Sequence, residues 1–78
     1  MYYTYILKLS DGSYYIGYTS DLKNRLRVHN FGIVPSTKNF RPVKLLFYAA
    51  FTSQQKATDF EKYLKSSSGF AFRNKHFI

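Results

Sequence analysis

The segment that most restricts the fold is the run from Tyr2 to Tyr18, where two strand-like stretches meet at Ser10-Asp11-Gly12. From Tyr2 to Leu9 the side chains alternate, so that Tyr3, Tyr5, Leu7 and Leu9 share one face of an extended chain. Tyr14 to Tyr18 reads as a second strand, antiparallel to the first. Loop length decides what this hairpin presents. A three-residue loop with Gly12 in the left-handed region pairs Leu9 with Ser13 and Leu7 with Tyr15. Tyr3, Tyr5 and Tyr15 then converge on one face, beside Gly17, which has no side chain. A two-residue loop would send Tyr5 and Tyr15 to opposite faces, because a one-residue slip inverts every side chain. The three-residue loop is the expectation.

Beyond the hairpin, Thr19-Ser20-Asp21 is a helix start, with cap oxygens and an early negative charge. The helix is expected from Asp21 to Asn30, with Leu22 and Leu26 as its apolar stripe and Arg25 and His29, four residues apart, along the edge. Lys23 and Arg27 point away. Phe31 to Pro42 reads as a loop, with Gly32, Pro35 and Pro42 as breakers. Val43 to Phe51 is apolar at nearly every position and reads as a strand covered on both faces. Thr52, with Gln55 three residues later, fits a capping box for a helix to Lys65 whose stripe is Ala57, Phe60 and Leu64. The serines from Ser66 to Ser68 break it, and Gly69 to Phe77 is expected as a short final helix. The sum is an α+β fold, a small three-stranded antiparallel sheet flanked by helices, in the order β-β-α-β-α and then a short α.

At 78 residues the chain supports one domain, 1–78, and rules out large multi-domain enzymes. Sixteen aromatic rings (8 Tyr and 8 Phe) argue against disorder, since they bury enough surface to offset ordering entropy. With no cysteine there is no disulfide, redox pair or thiolate metal site. The chain suits a reducing interior, and the expected compartment is the cytoplasm, or the nucleus where the cell has one. No run of 18 apolar residues exists to span a membrane, and the N-terminus lacks the order of a signal peptide.

The net charge of +8 favours a polyanion as partner, nucleic acid before an anionic membrane surface. The charge is also segregated. Lys23, Arg25, Arg27, Lys38, Arg41 and Lys44 follow one another without an acid between Leu22 and Lys44, as do Lys62, Lys65, Arg73 and Lys75 after Glu61. Such stretches read as a phosphate-facing surface, against the plainer alternative of a soluble basic protein.

Four residue types stand out from a plain domain. Glu61 is the only glutamate, and on the second helix it falls four residues after Ala57 and three before Leu64, inside the apolar stripe. A carboxylate buried there needs a cation: Arg25, a lysine or a divalent metal. A structural ion pair and a metal are equally open from the pattern alone. In a phosphodiester-binding protein, one carboxylate with substrate oxygens and waters suits Mg²⁺ or Mn²⁺. Arg25 could grip a phosphate oxygen at two points, or simply lie over Leu26. His29 could orient a tyrosine hydroxyl or accept a proton, or be a half-buried histidine bonded to backbone. The three tyrosines could be a packed aromatic face, or include a hydroxyl that serves as a base.

Tyr3-Thr4-Tyr5, then Tyr15-Ile16-Gly17, then Arg25 and His29 on a helix and Glu61 on a later one form an ordered set that resembles the GIY-YIG nuclease domain. The likeness runs from Tyr2 to Phe77, and is strongest to small stand-alone members similar to the N-terminal nuclease domain of the bacterial excinuclease. The resemblance implies a Mg²⁺-dependent endonuclease that hydrolyses DNA phosphodiester bonds with one metal ion, in repair or recombination. It implies Tyr5, Tyr15, Arg25, His29 and Glu61 as catalytic positions, Glu61 as the metal ligand, and Asn74 as the late asparagine of the site. The first motif departs from the family's, with Tyr3 and Thr4 in place of glycine and isoleucine. Lys23, Arg27, Lys38, Arg41 and Lys44 would hold flanking phosphates with little sequence preference. A protein partner would supply specificity where no DNA-recognition domain is attached. The rival is a non-catalytic nucleic-acid binder that uses the basic, aromatic-rich face.

Overall fold

The computed structural model describes residues 1–66. Strands β1 (Tyr2–Lys8) and β2 (Tyr14–Thr19) lead into helix α1 (Leu22–Asn30), and strand β3 (Lys44–Phe51) leads into helix α2 (Gln54–Lys65). The order β-β-α-β-α and the α+β class are as expected. The expected final helix, and the position of Asn74, lie outside the described residues.

The hairpin closes through three loop residues. Leu9 donates its amide to the Ser13 carbonyl at 2.8 Å, and Gly12 donates to Leu9 at 3.0 Å. Gly12 has φ of +88°, a conformation that side-chain-bearing residues rarely adopt. The Asp11 carboxylate accepts from the Ser13 amide and hydroxyl and pins the turn. Leu7 therefore pairs with Tyr15, and Tyr5 with Gly17.

The sheet order is β2-β1-β3, antiparallel throughout. β1 is central and covered on both faces, so Tyr5, Ile6 and Leu7 are at most 1% exposed. On one face Tyr5, Leu7, Leu9 and Val43 pack with Tyr15 and with Leu22 and Leu26 of α1. On the other, Ile6, Ile16 and Leu64 pack with Leu46, Phe47 and Phe60 beneath α2. Thr4, wholly buried, donates its hydroxyl to the Ala57 carbonyl and ties β1 to α2. That bond accounts for a polar residue where the family motif has isoleucine.

Two expectations need correction. β3 is an edge strand, not one covered on both faces: Leu45 is 38% and Tyr48 52% exposed. Strand order, which composition does not encode, put β1 in the centre. A register shift opposite Ile6 and Leu7 turns both Leu46 and Phe47 toward α2, which breaks the alternation. The cap of α2 is Ser53 rather than Thr52, its hydroxyl accepting from the Lys56 amide at 3.4 Å. No helix among the described residues is long and apolar enough to cross a membrane.

Candidate active site

Tyr5 is the hub. It leaves the central strand beside Gly17, which lacks the Cβ that would collide with its phenol. Asp21 caps α1 by accepting from the Asn24 amide at 3.2 Å, and this sets the helix phase that points Arg25 and His29 back at the sheet. The Arg25 Nε donates to the Tyr5 hydroxyl at 3.4 Å, and the His29 Nε2 lies 3.1 Å from the same oxygen. Tyr15 completes the group, its ring centroid 5.0 Å from that of His29 and 6.4 Å from that of Tyr5. Four of the expected site residues, on three elements, thus meet at one place.

A fifth member was not found from the sequence. Thr37, on the loop after α1, is wholly buried, and its hydroxyl lies 2.8 Å from the His29 Nδ1. The loop is folded back by the bonds of the Thr37 and Lys38 amides to the Val34 carbonyl. No periodicity or motif marks a threonine in a loop; only the return of the chain under the helix does. His29 itself is fully buried and bonded to two side chains, not half-buried and bonded to backbone.

Burial sets the protonation of the cluster. It pushes the Tyr5 phenol above its ordinary value; the Arg25 hydrogen bond opposes this, while the Tyr15 and Glu61 charges add to it. Burial also pushes His29 down, helped by the Arg25 charge, so the imidazole is neutral at pH 7. Arg25 is held all the more firmly protonated by its bond to Tyr5.

Glu61 stands apart from the hydrogen-bonded group but is near enough for its charge to act on Tyr5. The expected deep burial in the apolar stripe is not found. Its side chain is 22% exposed and pairs with Lys65, one turn on, at 3.2 Å. Leu64 and Ala57 take the seam, and the carboxylate lies partly exposed beside it. Lys65 also lines an open groove of about 350 Å³ with Tyr14, Tyr15 and Ile16. Among the described residues no three His, Cys, Asp or Glu side chains cluster as a metal cage. A single carboxylate that is partly exposed and could exchange its lysine partner fits a hard cation that keeps most of its water.

Lys23, Arg27, Lys38, Arg41 and Lys44 are all exposed. Arg41 differs from the rest. Its guanidinium donates to the Lys38 carbonyl at 2.8 Å and the Asn30 carbonyl at 3.4 Å. It lies so close over Gly32 that a Cβ there would come within 2.7 Å of it.

A paired-tyrosine hairpin, an arginine and a histidine one turn apart on the next helix, and a later glutamate define a class. The chain belongs to the GIY-YIG catalytic domain family, which matches residues 1–75 and carries nuclease-type chemistry. Among curated proteins it is 45% identical over 64 residues to a UPF0213 protein of Streptococcus pneumoniae serotype 4, covering 81% of this chain. It is likewise 45% identical over 67 residues to the UPF0213 protein SAG0778 of Streptococcus agalactiae serotype V, covering 85% of this chain and 76% of that one. The chain spans 65% of the length of the pneumococcal relative. The solution structure of the UPF0213 protein BH0048 from Bacillus halodurans is similar in fold, with TM-score 0.59 and 33% identity over 96% of this chain and 84% of that one.

Proposed function

We propose that this chain is an endonuclease that hydrolyses DNA phosphodiester bonds with a divalent cation, Mg²⁺ or Mn²⁺, acting in the cytoplasm in repair or recombination. The observation that carries the reading is the meeting of Tyr5, Arg25 and His29 at hydrogen-bond distance, with Tyr15 against the imidazole, in a GIY-YIG catalytic domain.

The two phenols divide the work by burial. Tyr5 is 1% exposed and shifted toward its neutral form, so it acts as a held proton donor. Tyr15 is only partly buried and borders the open groove, so it is the phenol that, as its phenolate, takes the proton of the attacking water and becomes neutral. The water oxygen bonds to phosphorus, the bond to the leaving oxygen breaks, and the leaving oxygen takes a proton from solvent. Arg25, held protonated, faces the negative charge that builds on the phosphoryl oxygens. His29 does not touch water; it fixes Tyr5. Glu61 would hold the cation, with water and substrate oxygens as the other ligands, and its bond to Lys65 would give way. A divalent cation held there would neutralise charge on the phosphate. Lys23, Arg27, Lys38 and Lys44 contact flanking phosphates, and a protein partner supplies sequence or structure preference.

The Glu61–Lys65 pair favours one rival, a nucleic-acid binder that does not cut. A nicking assay on supercoiled, branched and single-stranded DNA separates them, with Mg²⁺, Mn²⁺ or EDTA, and with Glu61→Ala and Arg25→Ala beside the wild type. Metal-dependent cutting lost in both variants supports the nuclease. DNA binding by all three proteins, with no cutting at any metal concentration, would leave the binder.

A further inference from the structure

The chain has four side-chain carboxylates, and each is engaged. Asp11 accepts from the Ser13 amide and hydroxyl, Asp21 from the Asn24 amide and Asp59 from the Gln55 side chain, while Glu61 pairs with Lys65. Lys8 and Lys44 nevertheless stand directly opposite each other across β1 and β3, both exposed. Opposed residues of an antiparallel pair project from one face with Cβ atoms about 4.5–5.5 Å apart, and like charges so placed cost stability. On its other side Lys8 faces Tyr14 of β2, a phenol and not an acid. A lysine on an edge strand has a plain use, since it discourages pairing with another chain. That use covers Lys44 on β3. It does not reach Lys8, whose strand is central and paired on both sides.

The two lysines line an open groove of about 360 Å³ with Leu9, Ser10 and Pro42. The Ser10 amide donates to the Phe40 carbonyl at 2.9 Å, which clips the loop before β3 to the hairpin and fixes the rim. The Ser10 hydroxyl is exposed and has no partner among the described residues. The lining therefore offers two ammonium groups and a free hydroxyl, with no carboxylate, which is a donor set for phosphate. The row Lys44, Lys8, Tyr14 also crosses the sheet toward the groove that Tyr14 lines with Tyr15 and Lys65. Two strand spacings make this crossing roughly 10 Å. Phosphates follow one another every 3.4 Å or so along one strand of a duplex, so a single backbone can engage both places. That continuity points to a nucleic acid rather than a membrane surface.

We infer that Lys8 and Lys44 form a clamp for one backbone phosphate of a nucleic acid, with the Ser10 hydroxyl as a third donor, beside the groove that holds Tyr15. The inference rests on the nucleic-acid partner of the proposed function and does not require cutting.

The test is fluorescence anisotropy of labelled duplex and single-stranded DNA in EDTA, where nothing is cut. The proteins are the wild type, Lys8→Ala, Lys44→Ala, the double variant, Lys8→Glu, and Lys56→Ala as an exposed lysine on α2 away from the groove. Each single alanine variant should bind about threefold to tenfold more weakly, and the double variant little worse than either, because the two lysines share one phosphate. Lys56→Ala should bind within about twofold of the wild type. Lys8→Glu gives Lys44 a cross-strand partner, so it should melt no lower than the wild type and yet bind DNA at least about tenfold more weakly. Lys8 variants that bind like Lys56→Ala overturn the clamp, as do losses that simply add in the double variant. Vesicles of phosphatidylglycerol and phosphatidylcholine supply the other source of phosphodiester: vesicle binding lost in Lys8→Glu with DNA binding unchanged overturns the inference in favour of a membrane. Should Lys8→Glu not fold, the alanine variants decide by themselves. The stated losses in a protein that never cuts DNA would uphold the clamp and remove the nuclease reading; metal-dependent cutting with unchanged binding by the Lys8 variants would do the reverse.

Discussion

Tyr5 and Gly17 face each other across β1 and β2, and the phenol fills the space that a side chain at Gly17 would need. A Cβ there would stand 2.6 Å from the Tyr5 Cζ and 3.1 Å from the ring of Tyr15. Neither ring can swing away freely, since Tyr5 is enclosed and bonded to two partners. Gly17→Ala should therefore lower stability by about 1–3 kcal/mol, as overpacked cores do. Thermal melts and the loss of DNA nicking would check it together.

The two phenols should separate in stability and activity. Tyr5→Phe leaves the His29 Nε2 and the Arg25 Nε without their partner in a buried place, at a cost of about 1–3 kcal/mol. Tyr15→Phe removes the hydroxyl of a residue that is only partly buried and should shift the urea midpoint far less. If Tyr15 takes the water's proton, its loss should nevertheless cut the nicking rate at least about a hundredfold.

Burial of neutral groups predicts how stability varies with pH. His29 is shifted down, so below its ordinary value near 6.5 the unfolded chain takes up a proton that the folded chain refuses. Stability is thus full above about pH 6.5 and falls as the pH drops through that window. Tyr5 is shifted up, so above about pH 10 the unfolded chain ionises first and stability falls again. The groups facing His29 are Tyr5, Tyr15, Arg25 and Thr37. Urea midpoints from pH 5 to 7 should slope in the wild type and flatten in His29→Gln. An equal slope in both would assign the acid limb to other groups.

The hairpin was legible because its information is local. Asp11 and Gly12 specify the turn, and the turn specifies which tyrosines share a face. The phase of α1 was legible for the same reason, with Asp21 capping and the 3.6-residue period placing Arg25 and His29 together. What the sequence hid was tertiary. Val43 to Phe51 is apolar apart from Lys44, yet strand order, set by the whole sheet, left Tyr48 on an open edge. Thr37 gained its meaning only when a loop came back under a helix. Glu61 was rightly placed on its helix, but periodicity could not tell the seam from its border, where Lys65 could reach it.

The basic surface should show itself in salt dependence. Each lysine or arginine that meets a phosphate contributes about 0.7–0.9 to the slope of log affinity against log salt. Lys23→Ala, Arg27→Ala, Lys38→Ala and Lys44→Ala should each reduce the slope by up to that amount and leave the melting temperature unchanged. Arg41→Ala should lower the melting temperature, because that side chain holds the carbonyls of Lys38 and Asn30. Fluorescence anisotropy across a salt series, beside thermal melts, tells the two classes apart.

Glu61 offers the sharpest division between fold and chemistry. Its one ion pair among the described residues, with Lys65, is an i,i+4 helical pair of the kind that contributes about 0.3–0.5 kcal/mol. Glu61→Gln keeps the shape and should move the urea midpoint by no more than that. The same substitution removes the charge that would hold a divalent cation, so nicking in Mg²⁺ or Mn²⁺ should fall at least about a hundredfold. Lys65→Ala makes the opposite change: it frees the carboxylate, and should leave the fold intact while lowering the metal concentration needed for half-maximal rate. If Glu61 serves only the helix, the two variants will behave alike, with small losses of stability and no change in metal dependence. Titrating Mg²⁺ and Mn²⁺ against all three proteins at constant ionic strength distinguishes these outcomes, because a structural pair has no reason to answer to the metal.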